Sequence, residues 1–438
     1  MKKALVISAI ASNQGKTLLS MALLHHYKKS VRPFKCGPDF IDPQFHEKIA
    51  GTPSVNLDGY MMNEKQLVWM FERYFDKDVA ILEGVMGYYD GMDKGASAYD
   101  VAKTLNVPSL LLLDAGGSYI SVAAVLKGML TFRDDNTIKA VVLNKISSQM
   151  HYELVKKHIE AECEGVVVCG WIQKGLKSLS STHLGLDLKE LDSEKIEQVS
   201  QDVLEHIELT KLESVMDVVL PSVSEYPFQK VPKKEEVCVV VKDENFSFLY
   251  HDNLKFLQEV YKKVIIISST KDKAIPDAAD IVILPGGYVE TQEHYERVKD
   301  SKRFKNSLIA HAKSKKVYAE CAGFIYLGDS CDEKKMSAIL PVTFTLTEKR
   351  ERLGYYKCKL NGQVIKGHAF HYTKITKAPP TDIKLLYIPI KHPYYRSYCT
   401  LFMILVWLIL VEYFLMFGAG FFHTLLEPSS IAVAEVNC

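Results

Sequence analysis

The sequence predicts an α/β protein of two successive parallel-sheet domains, and three observations carry that prediction. Apolar runs of strand length alternate with helical patterns through the N-terminal part, the rhythm of a parallel sheet covered on both faces. A Gly15-Lys16-Thr17 turn stands between the first such run and the first helical pattern. A charged, proline-bearing stretch then separates this series from a second one, in which a strand stops abruptly at Cys321 and an Ala-Gly pair follows.

The elements follow in order. ALVISAI (4–10), DVAILEGVMG (78–87), VPSLLLLDA (107–115) and IKAVVLNKI (138–146) are apolar and β-rich, and GVVVCGWI (165–172) is a shorter candidate strand. TLLSMALLHHYKK (17–29) and SYISVAAVLKGML (118–130) have helical spacing. Residues 1–191 are expected to form this first domain. Residues 192–235, with LPSVSEYPFQKVPKKEEV at their centre, have the proline and charge content of a linker. EVCVVV (236–241), KVIIISS (263–269), DIVILPGG (280–287) and KVYAE (316–320) are the strands of a second domain over 236–375. Residues 376–438 form a hydrophobic tail.

Composition narrows the function. A chain of 438 residues exceeds what one core organises, and 47% apolar with 24% charged residues is ordinary globular content. A net charge of +1 gives no reason to expect a nucleic-acid partner. MKKALVISAI leads into a glycine-lysine loop rather than a small-residue cleavage site, so it reads as a first strand and not a signal peptide. Nine scattered cysteines without a CxxC pair fit free thiols in a reducing, cytoplasmic setting.

The loop SAIASNQGKT is a phosphate cradle. Backbone N–H groups of Ser12, Asn13, Gln14 and Gly15 can surround phosphates at a helix N-terminus, Lys16 can reach the outer phosphates of a nucleotide, and Thr17 can ligate Mg²⁺. The strict pattern places glycine where this chain has Ile10, and Asn13 stands where glycine would turn more easily. Asn tolerates left-handed backbone better than most residues. An ordinary capped strand-to-helix turn remains the alternative. KCGPDFIDPQFH (35–46) puts Asp39 and Asp42 in a proline-rich turn, and LEGVMGYYDG (82–91) ends a strand at Glu83 before a loop with Asp90. Carboxylates at the carboxyl ends of parallel strands beside such a loop can hold Mg²⁺ and orient a reacting group. Each alone could equally be a turn or capping carboxylate.

These stretches, with STHLGL (181–186), LPGGYVE, YAECAGFIYL and GHAFHYT, resemble the cobyrinic acid a,c-diamide synthase family from residue 1 to about 375. The resemblance implies a dethiobiotin-synthetase-like ATPase domain followed by a class I glutamine-amidotransferase-like domain. It further implies that the a and c acetate carboxylates of cobyrinic acid are converted to amides, using ATP, Mg²⁺ and L-glutamine, within cobalamin biosynthesis. Asp39, Asp42 and Asp90 would then meet the substrate carboxylate, the metal and an acyl phosphate. Thr17, Glu83 and Asp39 would hold Mg²⁺, and Asn144 would contact adenine or serve as a strand-end turn residue. The resemblance leaves homodimer formation open. Another tetrapyrrole such as a nickel sirohydrochlorin would suit the same residues, with Tyr88, Tyr89 and Phe40 as candidate pocket walls. A P-loop switch ATPase of the partitioning type shares the phosphate loop but has no use for a cysteine elbow.

In the second domain, Cys321 is the candidate nucleophile toward the glutamine amide. Backbone N–H groups near Gly287 and Ala322 are candidates to stabilise the oxyanion, and Cys331 and Cys358 lack such a setting. The histidine that should partner the thiol lies near the C-terminus in the family. Here His368 and His371 belong to the earlier GHAFH motif, His392 and His423 stand in other contexts, and no base is assigned. The run from Cys399 to Leu426 has Glu412 as its single charge. A frame-shifted or rearranged gene end, a membrane anchor with the enzyme domains on the cytoplasmic side, and a buried helix are the readings open for it.

Overall fold

The computed structural model describes residues 2–176, 192–360, 363–377, 384–390, 399–406 and 431–434. These fall into two compact units, Met1–Pro227 and Phe228–Cys438. The motif at 181–186 and residues 407–426 of the apolar run lie outside the described residues.

The first unit is a parallel sheet. Its strands are β1 (Lys3–Ala9), β2 (Val31–Cys36), β3 (Val55–Leu57), β4 (Val79–Gly84), β5 (Ser109–Asp114), β6 (Ile138–Ile146) and β7 (Val167–Gln173), in the order β3-β2-β4-β1-β5-β6-β7. The helices are α1 (Lys16–His26), α2 (Asp42–Ala50), α3 (Glu64–Tyr74), α4 (Ala98–Leu105), α5 (Ile120–Thr131), α6 (Gln149–Glu162), α7 (Ser193–Leu204) and α8 (Leu209–Glu213). Pairing of Ile7 with Glu83 and of Lys35 with Glu83 brings the carboxyl ends of β1, β2 and β4 level, which fixes where a ligand binds in such a sheet.

The expected linker is corrected at its start. Residues from 192 onward form α7 and α8, with Asp192 accepting from the Lys195 N–H as the N-cap of α7. Ile196, Val199, Val203, Leu212 and Met216 are buried in the same core as Leu5, Ile7 and Leu19. The charges within α7 and α8 sit on the outer faces of amphipathic helices.

The second unit has β8 (Lys234–Val241), β9 (Tyr261–Ile267), β10 (Ile281–Leu284) and β11 (Lys316–Ala319), with α9 (His251–Val260), α10 (Gln292–Val298), α11 (Lys302–Ala312) and α12 (Ala322–Leu327). Smaller strands follow: β12 (Ser330–Cys331), β13 (Lys334–Lys335), β14 (Thr343–Leu346), β15 (Arg352–Leu360), β16 (Gln363–His371) and β17 (Thr373–Lys377). The tail adds β18 (Lys384–Ile390), β19 (Cys399–Val406) and β20 (Ile431–Ala434), giving a sheet in the order β18-β19-β20-β11-β10-β8-β9. β20 lies parallel beside β11, and β19 runs antiparallel to β20. The start of the apolar run is therefore a sheet strand, against both the membrane-helix and the buried-helix readings of residues 399–406. Among the described residues no helix is long and apolar enough to cross a membrane.

His371 in this unit predicts a pH effect. Burial pushes its imidazole down to about 4, against a weaker opposing pull from the Nδ1 bond to the Thr373 carbonyl. An unfolded histidine titrates near ~6.5, so as pH falls from there toward 4 the unfolded chain binds a proton that the folded one refuses. Stability should be fully present above about 6.5 and decline on acidification. His371→Asn keeps a donor for Thr373 without titrating. It should flatten that part of the stability profile in denaturant titrations, and an unchanged slope would assign the effect to another group.

Candidate active site

The phosphate loop follows from the sequence and from its strain. Asn13 has φ of 60° and Gly15 has φ of 93°, so two of the loop residues occupy left-handed backbone. Asn13 therefore serves the turn as its residue type suggested. Lys16 and Thr17 open α1, and the Lys16 ammonium donates to the Ala11 carbonyl at 2.9 Å. Burial holds Lys16 below the usual lysine range, and the neighbouring Lys35 adds to this. Asn144 at the end of β6 packs on the loop: its amide donates to Gln14 O at 2.8 Å, and its oxygen accepts from the Lys145 N–H.

The predicted carboxylates gather beside this loop around a residue to which the sequence reading gave no role. Lys35, at the end of β2 and 2% exposed in its side chain, ion-pairs with Asp39 at 3.4 Å, with Glu83 at 3.2 Å and with Asp42. Its charge is held well above the usual lysine range by Glu83 first and then Asp39 and Asp42, which outweigh burial. Thr17 donates its hydroxyl proton to Glu83 Oε1 at 2.7 Å. His46, also 2% exposed, sits 2.9 Å from Glu83 Oε2 through Nε2 and 3.1 Å from Ser54 Oγ through Nδ1.

Local sequence explains the placement. Asp39 accepts from the Ile41 and Asp42 N–H groups, which closes the turn. Asp42 and Pro43 then start α2, where an acid suits the positive helix end. His46 lies four residues after Asp42, so both project from one helix face. Burial raises the Asp42 carboxyl to about 7 against the pull of Lys35, with Glu83 and Asp39 pushing it further up. Glu83 and Asp39 are held down chiefly by Lys35. Asp90 is exposed and caps its own loop by accepting from the Gly87 N–H at 2.8 Å.

One expected pocket wall is corrected. Tyr88 is fully buried, with its hydroxyl bonded to Thr137, so it belongs to the core. Tyr89 and Phe40 are half-buried, and the Tyr89 hydroxyl donates to the Met129 carbonyl.

The cysteine of the second unit sits where its turn predicted. Cys321 follows β11 with φ of 47° and ψ of −111°, a strained conformation of the kind that exposes a nucleophile between strand and helix. Ala322 opens α12, leaving its N–H among the amides without an intrahelical acceptor. Gly287 has φ of 157°, and a Cβ there would stand 2.0 Å from the Asn245 carbonyl oxygen, so only glycine fits. Cys321 is buried in the core of the second unit, beside Ala319 and Ala322. Cys36, Cys163, Cys169, Cys238 and Cys331 are buried free thiols. Burial pushes Cys331 up to about 12, too high for a thiolate at neutral pH. Of the GHAFH histidines, His368 is bonded to the Tyr250 hydroxyl and His371 to the Thr373 carbonyl.

Known proteins match both halves. The CobQ/CobB/MinD/ParA nucleotide binding domain matches residues 5–186, and the CobB/CobQ-like glutamine amidotransferase domain matches residues 237–390. The cobyrinate a,c-diamide synthase of Fusobacterium nucleatum is 34% identical over 400 residues, covering 85% of this chain and 89% of that protein. The chain belongs to the cobyrinate a,c-diamide synthase family. Relatives of the same name from Listeria monocytogenes, 31% identical over 87% of this chain and 89% of theirs, and from Methanocaldococcus jannaschii, 31% identical over 85% and 87%, agree. Family membership makes the two units a nucleotide-binding domain and a glutamine amidotransferase domain of a carbon–nitrogen ligase. The amidotransferase match runs past residue 375, where the motif resemblance ended, and takes in β18.

The sequence reading missed Lys35 and His46. The signals were present: a lysine inside a strand with acids four and seven positions later, and a histidine one turn after the second acid.

Proposed function

We propose that this family member is a glutamine-dependent cobyrinate a,c-diamide synthase. In this reading ATP phosphorylates each acetate carboxylate to an acyl phosphate, and ammonia released from glutamine displaces the phosphate. The observation that carries it is the junction of the Thr17–Glu83 pair with the Lys35–Asp39–Asp42 cluster at the ends of β1, β2 and β4. One side of that junction suits nucleotide phosphates and the other suits a substrate held among charged groups.

The donor set fits Mg²⁺. Thr17 and Glu83 offer hard oxygen ligands, with Asp39 in the same cluster, and a magnesium site built from one or two carboxylates is completed by the phosphates themselves. When bound, the ion neutralises charge on the transferring phosphoryl group. Gly15 allows close backbone approach, Lys16 supplies a cation to the outer phosphates, and Asp39, Asp42 and Asp90 orient the acceptor carboxylate. Asn144, which borders the loop through its bond to Gln14 O, is the candidate contact to the nucleobase. In the second domain the Cys321 thiolate attacks the glutamine amide carbon, and the Gly287 and Ala322 N–H groups stabilise the resulting oxyanion. Ammonia leaves, and water hydrolyses the thioester to glutamate.

The test is amide formation on cobyrinic acid with Mg–ATP, run in parallel with glutamine and with ammonium. Cys321→Ser should lose glutamine-driven product by several orders of magnitude and keep ammonium-driven product. Equal loss in both arms would make Cys321 structural, and no amide with either donor would overturn the function.

A further inference from the structure

We infer that His46 is a positioning residue for the nucleotide site: it clamps one oxygen of Glu83 so that the other is presented, beside the Thr17 hydroxyl, to the cation that accompanies ATP. The inference rests on the ATP and Mg²⁺ reading above.

The two oxygens of Glu83 have separate partners. Oε2 meets His46 Nε2 at 2.9 Å, whereas Oε1 accepts from Thr17 at 2.7 Å and from Lys35 at 3.2 Å. A carboxylate only accepts, so Nε2 carries the hydrogen. On the other side of the ring Nδ1 lies 3.1 Å from Ser54 Oγ, a hydroxyl able to donate or to accept. Ser54, His46 and Glu83 thus form one hydrogen-bonded chain, and all three are buried. Water cannot replace a lost member, so turning the Glu83 carboxylate away leaves a buried group unsatisfied. A partner behind a ligating carboxylate fixes its orientation and raises metal affinity. The same helix carries Asp42, one turn earlier, on the Lys35 side of the cluster. Through α2 the orientation of the cation ligand and that of the substrate-side carboxylate are set together.

A histidine that merely filled the core would affect stability and leave cation dependence alone. The experiment is therefore binding of a fluorescent ATP analogue to the full chain, titrated with Mg²⁺ and repeated in EDTA. His46→Phe keeps the ring and removes both bonds. It should raise the Mg²⁺ concentration needed for half of the affinity gain about 10- to 100-fold, with binding in EDTA unchanged. His46→Gln, which retains a donor, should fall between His46→Phe and wild type. Ser54→Ala should shift the titration the same way by less, and these two carry the test if the phenylalanine variant does not fold. Wild-type Mg²⁺ dependence in the folded variants would overturn the inference. A wild-type chain whose nucleotide binding ignores Mg²⁺ would overturn the parent reading, and the inference with it.

Discussion

Lys16→Ala should abolish amide formation with glutamine and with ammonium alike, by at least about 10²- to 10³-fold, the usual cost of removing one preorganised donor to developing charge. The reasoning starts from the loop. Backbone N–H groups supply dipoles, and Lys16 is the cation of the loop itself, already partly desolvated with its amine below the usual range. A desolvated cation gives up little hydration on meeting phosphate, so its attraction is felt in full. Both nitrogen donors need the same activated carboxylate, so the loss must be common to them. The fold should survive, because the hydrogen bond that Lys16 donates to the Ala11 carbonyl is worth about 1 kcal/mol. Unfolding measured beside activity separates the cases. Ammonium-driven turnover within tenfold of wild type in a folded variant would remove ATP activation from the mechanism.

Much of this site was legible because its parts are local. A GKT after a strand, an acid closing the next apolar run at Glu83, and a cysteine halting a strand before Ala-Gly all state their backbone geometry in a few residues. The left-handed Asn13 and the strained Cys321 follow the same logic. What escaped depends on contacts distant in sequence. β2, VRPFKC, is buried throughout yet holds Arg32, Pro33 and Lys35, so no apolar run marks it. Its charges are tolerable because Asp76 pairs with Arg32 and three acids surround Lys35, partners that tertiary structure supplies. His46 reads as one more residue of an amphipathic helix until Glu83 stands opposite. β20 joins β11 across more than a hundred residues, and no local pattern encodes that register. Tyr88 erred the other way: a tyrosine in a glycine-rich loop suggested a pocket wall, and the loop folds it inward.

Lys35→Met should be the most destabilising single change in the first domain, and its cost should depend on pH in a definite sense. Methionine matches the apolar stem, so the change isolates the charge. Removing one partner of a buried ion pair typically costs about 3–5 kcal/mol, because the remaining charges are left desolvated and uncompensated. Here three carboxylates lose their shared cation at once. Each then escapes by taking up a proton, so folded pKa values rise above the unfolded ones. A carboxyl raised in the folded state contributes stability that is present at low pH and lost as pH rises through its folded value. Asp42, already near 7 with Lys35 in place, shows which way the others would move. The variant should therefore lie closest to wild type in acid and furthest from it at pH 8 in denaturant titrations. Adding Glu83→Gln should return part of the loss, since it deletes one stranded charge, and the double-mutant cycle reads that coupling directly. A pH-independent loss, or single changes that simply add, would mean that Lys35 acts through its packing and that the cluster is not one electrostatic unit.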